Sequence, residues 1–359
     1  MTIEFDMRDD QPARIGLRFY HCDRNWNRTE TTFINDEHRN RTRTELPFEP
    51  APFGIQHYRY QYVARIPSFP LFEKFETSGN YEFDILDEEK REVIGRGRFF
   101  VAENMVTPQV HVRNRQDPSA PHPFNQVHRI DVVIPEPDSS EIIQVQQVTT
   151  VDLVRNKELG RSWRIDVHNL QPNTFVEGHS RFPVRFMIDN IPAGNEYRRL
   201  DLRNIDFYPP GRIARPRLGP DVSRFLKQGD PDNNGGAVLV RGSRYADYLE
   251  VQFELLLDEE SEDPVYVAGD FTQWQVAESA RMSKTAGRYV WTTRLRRGIH
   301  NYLYIVGGGD WHALEGNDWR TVSEYTALIY LRDPRFGGFD RIVGIGRALS
   351  EGANGPTAY

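Results

Sequence analysis

Ile15-Gly-Leu-Arg-Phe-Tyr-His-Cys22 places apolar residues two apart, with Gly16 and Arg18 between Ile15, Leu17 and Phe19. Side chains of a strand point to opposite faces in turn, so this spacing makes one face for a core and one for water. The same period returns in Tyr58, Tyr60 and Tyr62, and in Tyr81, Phe83 and Ile85. It recurs at Val110 and Val112, at Ile165 and Val167, from Leu249 to Leu257, and from Tyr325 to Leu331. Turn formers separate the runs: Ser78-Gly79-Asn80, Ala193-Gly194-Asn195 and Gly307-Gly308-Gly309-Asp310. No helical period exceeds two turns, and the one short helix expected lies over 222–227. Many short strands with regular turns predict an all-β chain of immunoglobulin-like or early-set β-sandwich modules in series.

With 359 residues, and about 100–150 per domain, the chain has room for two or three such modules. Two breaks in the strand series set the expected boundaries. Val106-Thr107-Pro108 follows a strand, and 229–236 is a polar segment rich in Gly and Asn. The expected division is therefore an N-terminal sandwich over 1–105, a middle one over 106–236, an early-set sandwich over 237–350 and a tail over 351–359.

Composition removes several classes of function. Hydrophobic residues make up 38% of the chain, enough for several small cores and too much for a disordered protein. No apolar run has the length of a membrane-spanning helix, so no direct membrane insertion is expected. The net charge is −7, and arginines alternate with acids, as in 196–206. A nucleic-acid partner would call for a basic excess on one segment. The nearest candidate, Arg39, Arg41 and Arg43, lies beside Asp36 and Glu37, so no nucleic acid is expected. Cys22 is the single cysteine, which excludes an internal disulfide and a cysteine metal cluster. Met1 is followed by Thr-Ile-Glu-Phe-Asp, so either the protein is cytosolic or a leader has been removed.

No catalytic constellation surfaces. The sequence has no G-x-S-x-G elbow, H-E-x-x-H pair, P-loop or dinucleotide fingerprint, and its histidines are scattered. Asp230-Pro-Asp232-Asn-Asn234-Gly235 spells the opening of a calcium loop, but the twelfth position, where a glutamate should close the cage, is Arg241. A turn-rich linker explains the same residues. No enzyme, cofactor or metal is expected.

Val265-Tyr-Val-Ala-Gly-Asp270-Phe-Thr-Gln-Trp274, followed by Gly287-Arg-Tyr289-Val-Trp291 and Gly298-Ile-His-Asn301-Tyr302, resembles the early-set modules that bind glycogen or starch. That resemblance implies Trp274 and Trp311 as the sugar-stacking pair, with Leu303 where the family has a hydrogen-bonding lysine. The competing reading makes Trp274 and Trp291 anchors of the sandwich.

A second resemblance spans most of the chain. Leu17-Arg-Phe-Tyr20-His-Cys-Asp23-Arg-Asn-Trp26 opens it, followed by Ser78-Gly-Asn-Tyr81 and Arg98-Phe99-Phe100-Val101. Gly194-Asn195-Glu196-Tyr197-Arg198 stands in the middle; Glu315-Gly316-Asn317, Thr321-Val-Ser-Glu-Tyr325 and Phe339-Asp340-Arg341-Ile342 close it. In this order the segments resemble the plug protein of the type IX secretion system. The resemblance implies a periplasmic protein at the inner face of the outer membrane. It would reversibly seal a large outer-membrane translocon β-barrel when no cargo occupies the pore, and be monomeric when free. The alternative is a glucan-binding protein that uses the last sandwich.

Overall fold

The computed structural model describes residues 1–119, 126–137, 144–225, 227–309 and 311–350. The expected tail, Leu226 of the expected helix and Asp310 of the expected turn lie outside the described residues. The protein is almost entirely β.

The first module comprises β1 (Thr2–Met7), β2 (Ile15–Cys22), β3 (Phe48–Pro50), β4 (Tyr60–Arg65), β5 (Gly79–Asp87) and β6 (Glu92–Val101). Sheet β1-β4-β3 faces sheet β2-β5-β6. Ile15, Leu17 and Phe19 of β2 enter the core together with Tyr62 and Ala64 of β4, as the two-residue period requires.

The second module begins with β7 (Gln109–Gln116), β8 (Gln126–Ile134), β9 (Val148–Arg155), β10 (Ser162–Asp166), β11 (Thr174–Glu177) and β12 (Val184–Pro192). The chain then leaves it for a third module built of β13 (Arg198–Asp201), β14 (Asp221–Val222), β15 (Val238–Leu239), β16 (Tyr248–Leu256), β17 (Val265–Gly269), β18 (Ser283–Thr285), β19 (Arg288–Arg296) and β20 (Gly298–Val306). It finally returns to the second module as β21 (Glu324–Asp333) and β22 (Phe339–Leu349).

The pairing shows this nesting. Sheets β11-β12-β8-β7 and β10-β9-β21-β22 form the middle sandwich, and Tyr325, Ala327, Ile329 and Leu331 lie in its core. In the third module, β13 pairs with β20, and β14 lies parallel to β16. The expected linear cuts thus need correction: 324–349 completes the middle sandwich, and 198–222 belongs to the last. Alternation identifies a strand but does not name its sheet, and the turn chemistry of 229–236 reads as a linker when taken alone. The helix expected over 222–227 is likewise replaced, since Asp221–Val222 extends as a strand.

Two central strands are buried on both faces. In β9, Val151 and Leu153 point into the middle core, while Val154 joins Leu328, Tyr330 and Ile342 against Phe100 and Ala102 of the first module. In β20, Tyr302 and Tyr304 enter the third core, and Leu303 and Ile305 point outward into a small cluster with Tyr197, Trp274 and Trp311.

Candidate functional site

The third module meets the middle one through the segment Gly194–Arg198. Gly194 (φ 78°) sits in the left-handed region, and its N–H donates to Asn317 Oδ1 (2.8 Å). Asn195 Nδ2 donates to the carbonyls of Glu315 (2.7 Å) and Lys227 (2.9 Å). The buried Tyr197 hydroxyl donates to Glu158 Oε1 (2.6 Å), which also receives Arg155 Nη2 (2.7 Å). Arg155 further donates to the Ala193 carbonyl (3.0 Å), and Asn156 Nδ2 to the Tyr197 hydroxyl (3.1 Å). Burial, then the Glu158 charge, pushes the Tyr197 hydroxyl well above its ordinary pKa.

Arg198 extends the network into the third module. Its guanidinium meets Glu315 (2.8 Å) and Asp221 (3.2 Å), all three buried. Glu315 also takes Arg224 (2.9 Å) and the Tyr304 N–H (2.9 Å), and Asp221 takes the hydroxyls of Tyr302 and Tyr304 (2.8 Å each). Two arginines thus face two carboxylates, so the buried charges balance.

The calcium-like segment closes over this junction. One oxygen of Asp232 accepts the Tyr197 N–H, and the other accepts the Asn234 N–H. Gly235 accepts the Trp274 indole N–H through its carbonyl (2.9 Å). Gly235 has φ 75°, and a Cβ there would lie 3.1 Å from the Trp274 ring, so glycine suits both the turn and the contact. Among the described residues no group of three His, Cys, Asp or Glu could hold a metal ion. Burial, and for Glu196 also the charge of Asp232, raises the pKa of both carboxyls.

The two tryptophans singled out for sugar stacking come together in one cluster, but inside the protein. Trp274 is 2% exposed, with Tyr197 over it at 4.2 Å between ring centroids. Trp311 is 6% exposed, and the Arg161 guanidinium lies 5.1 Å from its centroid. Leu303 packs in the same cluster. Stacking on a sugar needs an open ring face, and neither indole has one. Trp291 is half-buried against Phe253 and Phe271, with its N–H donating to the Ser279 carbonyl (2.8 Å).

The first module meets the middle one through the other quoted motifs. His21 Nε2 faces the carbonyls of Ser78 (3.0 Å) and Asp340 (3.1 Å), so this nitrogen carries the proton. Burial lowers the His21 pKa, which keeps the ring neutral. Gly79 (φ 144°) passes so close that a Cβ would stand 2.3 Å from that nitrogen. Tyr330 donates to Asn80 Oδ1 (2.7 Å), and the Ile342 N–H to Ser78 Oγ (3.1 Å).

A third joint closes the ring. Arg296 and Arg241 of the third module meet Glu4 of β1 (2.8 Å each). Tyr248 donates to Asp6 (2.9 Å), and His57 Nδ1 lies 3.0 Å from Asp247.

Residues 1–103 match the family model described as type 9 secretion system plug protein 1st domain. The first module is similar to the first domain of type 9 secretion system plug proteins. This bears out, over the first module, the resemblance carried by Leu17–Trp26 and Ser78–Val101. No curated protein matches the chain. Among solved structures, a hypothetical protein from Parabacteroides merdae is similar over 97% of this chain and 90% of its own, with a TM-score of 0.77 and 21% identity. That likeness extends the shared fold across all three modules. The module that matches the plug-domain model is thus one corner of a three-module body, and the motifs read in the sequence lie at its joints. Sequence reasoning missed Arg155 and Glu158. They stand three apart, outside every quoted motif, and only the Tyr197 contact gives them a role.

Proposed function

We propose that this protein is a non-enzymatic plug. It closes the periplasmic mouth of the type IX outer-membrane translocon when no cargo occupies the pore, and leaves when cargo loads. The observation that carries this reading is the plug-protein first domain over residues 1–103, fixed to two further sandwiches by buried joints. A stopper must hold its shape across a wide opening, and networks such as Tyr197–Glu158–Arg155 resist bending because every partner is desolvated.

Other features favour the same reading. Among the described residues no helix is long and apolar enough to cross a membrane. Cys22 is buried, and burial pushes its thiol up to about 11, which withholds the reactive thiolate. The surface mixes arginines with carboxylates, which suits a reversible, salt-sensitive contact with the barrel. The protein acts in the periplasm, at the inner face of the outer membrane, and is monomeric when free.

The test deletes the protein and measures outer-membrane permeability to a large antibiotic, then asks when the barrel co-purifies with it. Permeability should rise, and the barrel should be recovered only when cargo is absent. Unchanged permeability with no barrel recovered overturns the proposal.

A further inference from the structure

Sheet β2-β5-β6 of the first module has two edges that are treated differently. The β2 edge is covered by the segment that follows it: Thr29 N–H donates to the His21 carbonyl (2.9 Å), Phe19 N–H to Asn40 (2.7 Å), Thr42 N–H to Leu17 (2.9 Å) and Leu46 N–H to Ile15 (2.8 Å). The β6 edge has no such cover. β6 is ten residues long and pairs on one side with β5, from Gly79↔Val101 to Asp87↔Glu92. Among the described residues, none of its main-chain groups bonds outside that ladder.

A long open edge is a template for another strand, and proteins usually shorten such edges or place lysine or proline on them. Residues 92–101 contain neither, and the one irregularity, a bulge at Ile94 between the pairs Ile85↔Gly95 and Leu86↔Val93, leaves 95–101 a regular edge. Of the other edge strands, β3, β10, β11 and β18 are short, with three, five, four and three residues, and β22, of eleven, has the N–H groups of Glu103, Met105 and Val106 on its Ile342 and Val343 carbonyls. β1 is taken up by the joint through Glu4 and Asp6. β7, of eight residues, turns Gln109, His111, Arg113 and Arg115 outward, with Gly344 and Gly346 closing on the Val106–Pro108 entrance before it.

The chemistry of the missing neighbour is written in the one β6 already has. On the solvent face, Glu82 stands opposite Arg98 and Asp84 opposite Arg96. The ion pairs are 2.8 and 3.1 Å, and the Arg96 and Arg98 side chains remain 70% and 37% exposed. Between those acids, Phe83 and Ile85 pack toward the core. A strand on the free side meets the same two arginines from their other flank. At the start of β6, Val93 and Ile94 are 41% and 39% exposed, an apolar shelf without a cover. We propose that the β6 edge is a docking site for an extended segment of a partner protein, with acidic and apolar residues alternating, which joins the sheet as a fourth strand. This goes beyond the plug reading and holds whether or not the protein closes a pore.

The test uses the full-length protein and a labelled, end-blocked ten-residue peptide of alternating Glu and Val. Fluorescence anisotropy should show saturable binding at or below roughly 1 mM, and amide exchange should slow within 92–101. The same peptide N-methylated along one edge should lose binding, because the main chain supplies the contact. The double substitution Arg96→Gln with Arg98→Gln should weaken binding at least about fivefold, cross-strand charge pairs being worth up to about 1 kcal/mol each. The N-methylated probe leaves the protein untouched, so the test stands even where the double variant folds poorly. Equal binding of the methylated peptide, protection outside 92–101, no binding at the highest concentration, or self-association of the protein through 92–101 each overturns the proposal.

Discussion

The joint between the middle and third modules and the joint between the first and third are both polar, yet water reaches them to different depths. At the former, Arg155, Glu158 and Tyr197 are buried and bonded at 2.6–2.7 Å. At the latter, Arg296 meets Glu4 and Asp6 with its own side chain 6% exposed, while Arg241 reaches the same Glu4 from a side chain 65% exposed. A desolvated network is costly to leave incomplete, so it admits one geometry. An exposed ion pair competes with water and salt, so it contributes little energy and tolerates adjustment. The Arg155–Glu158–Tyr197 network is thus buried at every member, whereas the first–third joint backs a buried Arg296 pair with a softer contact at Arg241.

The sharpest way to break that contrast is Glu158→Ala. It strands the Arg155 charge and the Tyr197 hydroxyl in the interior, and should cost about 3–5 kcal/mol in urea unfolding. A loss below about 1 kcal/mol would make the buried network no stronger than the exposed Arg241 contact.

Acid should act on the firm joint next. His128 is buried, and its Nδ1 lies 2.8 Å from the Tyr325 hydroxyl. Burial, then the Arg155 charge, lowers its pKa to about 4 from 6.5. The unfolded chain therefore binds a proton between these values that the folded one refuses. Stability should be full above pH 6.5 and fall between 6.5 and 4, by up to about 3 kcal/mol. Unfolding free energies of the wild type and His128→Gln across this range should converge at acid pH if the histidine is responsible.

Gly79→Ala should destabilise by about 1–3 kcal/mol, because the new Cβ meets the His21 ring and the backbone φ disfavours any side chain. Chemical denaturation measures it. Smallest of all, Arg241→Ala should change stability by less than about 1 kcal/mol, and by less still at high salt. A larger loss would mean that the soft contact is firmer than its exposure suggests.

Much of this was legible in the residues. The alternation at Ile15, Leu17 and Phe19 marked a strand with one buried face, because period two has a single structural meaning. β9 was harder: Val148–Arg155 is buried on every side, so it carries no alternation to read. The nesting of the modules could not be seen, since pairing of 148–155 with 324–333 is a long-range choice and leaves no local mark. Motif position put Trp274 and Trp311 forward as a sugar-stacking pair, and the fold brings them into one buried cluster. Their burial depends on Tyr197, Gly235 and Arg161, which arrive from elsewhere in the chain. Gly194–Arg198 and Glu315–Asn317 stood out as words in the sequence, and their meeting at one joint gives each a physical purpose.

The return of the last two strands to the middle sandwich has a consequence for synthesis. A ribosome releases the chain from its N-terminus, so β9 emerges long before the strand that must lie beside it. Asn156 and its partner Glu324 are 168 residues apart. Throughout that interval the middle sandwich lacks half of one sheet and exposes the side of β9 on which β21 will lie, while the entire third module is made and folds. A nascent chain stalled before residue 324 would thus present an unfinished apolar strand, a state that calls for a chaperone's cover and that translation itself brings to an end.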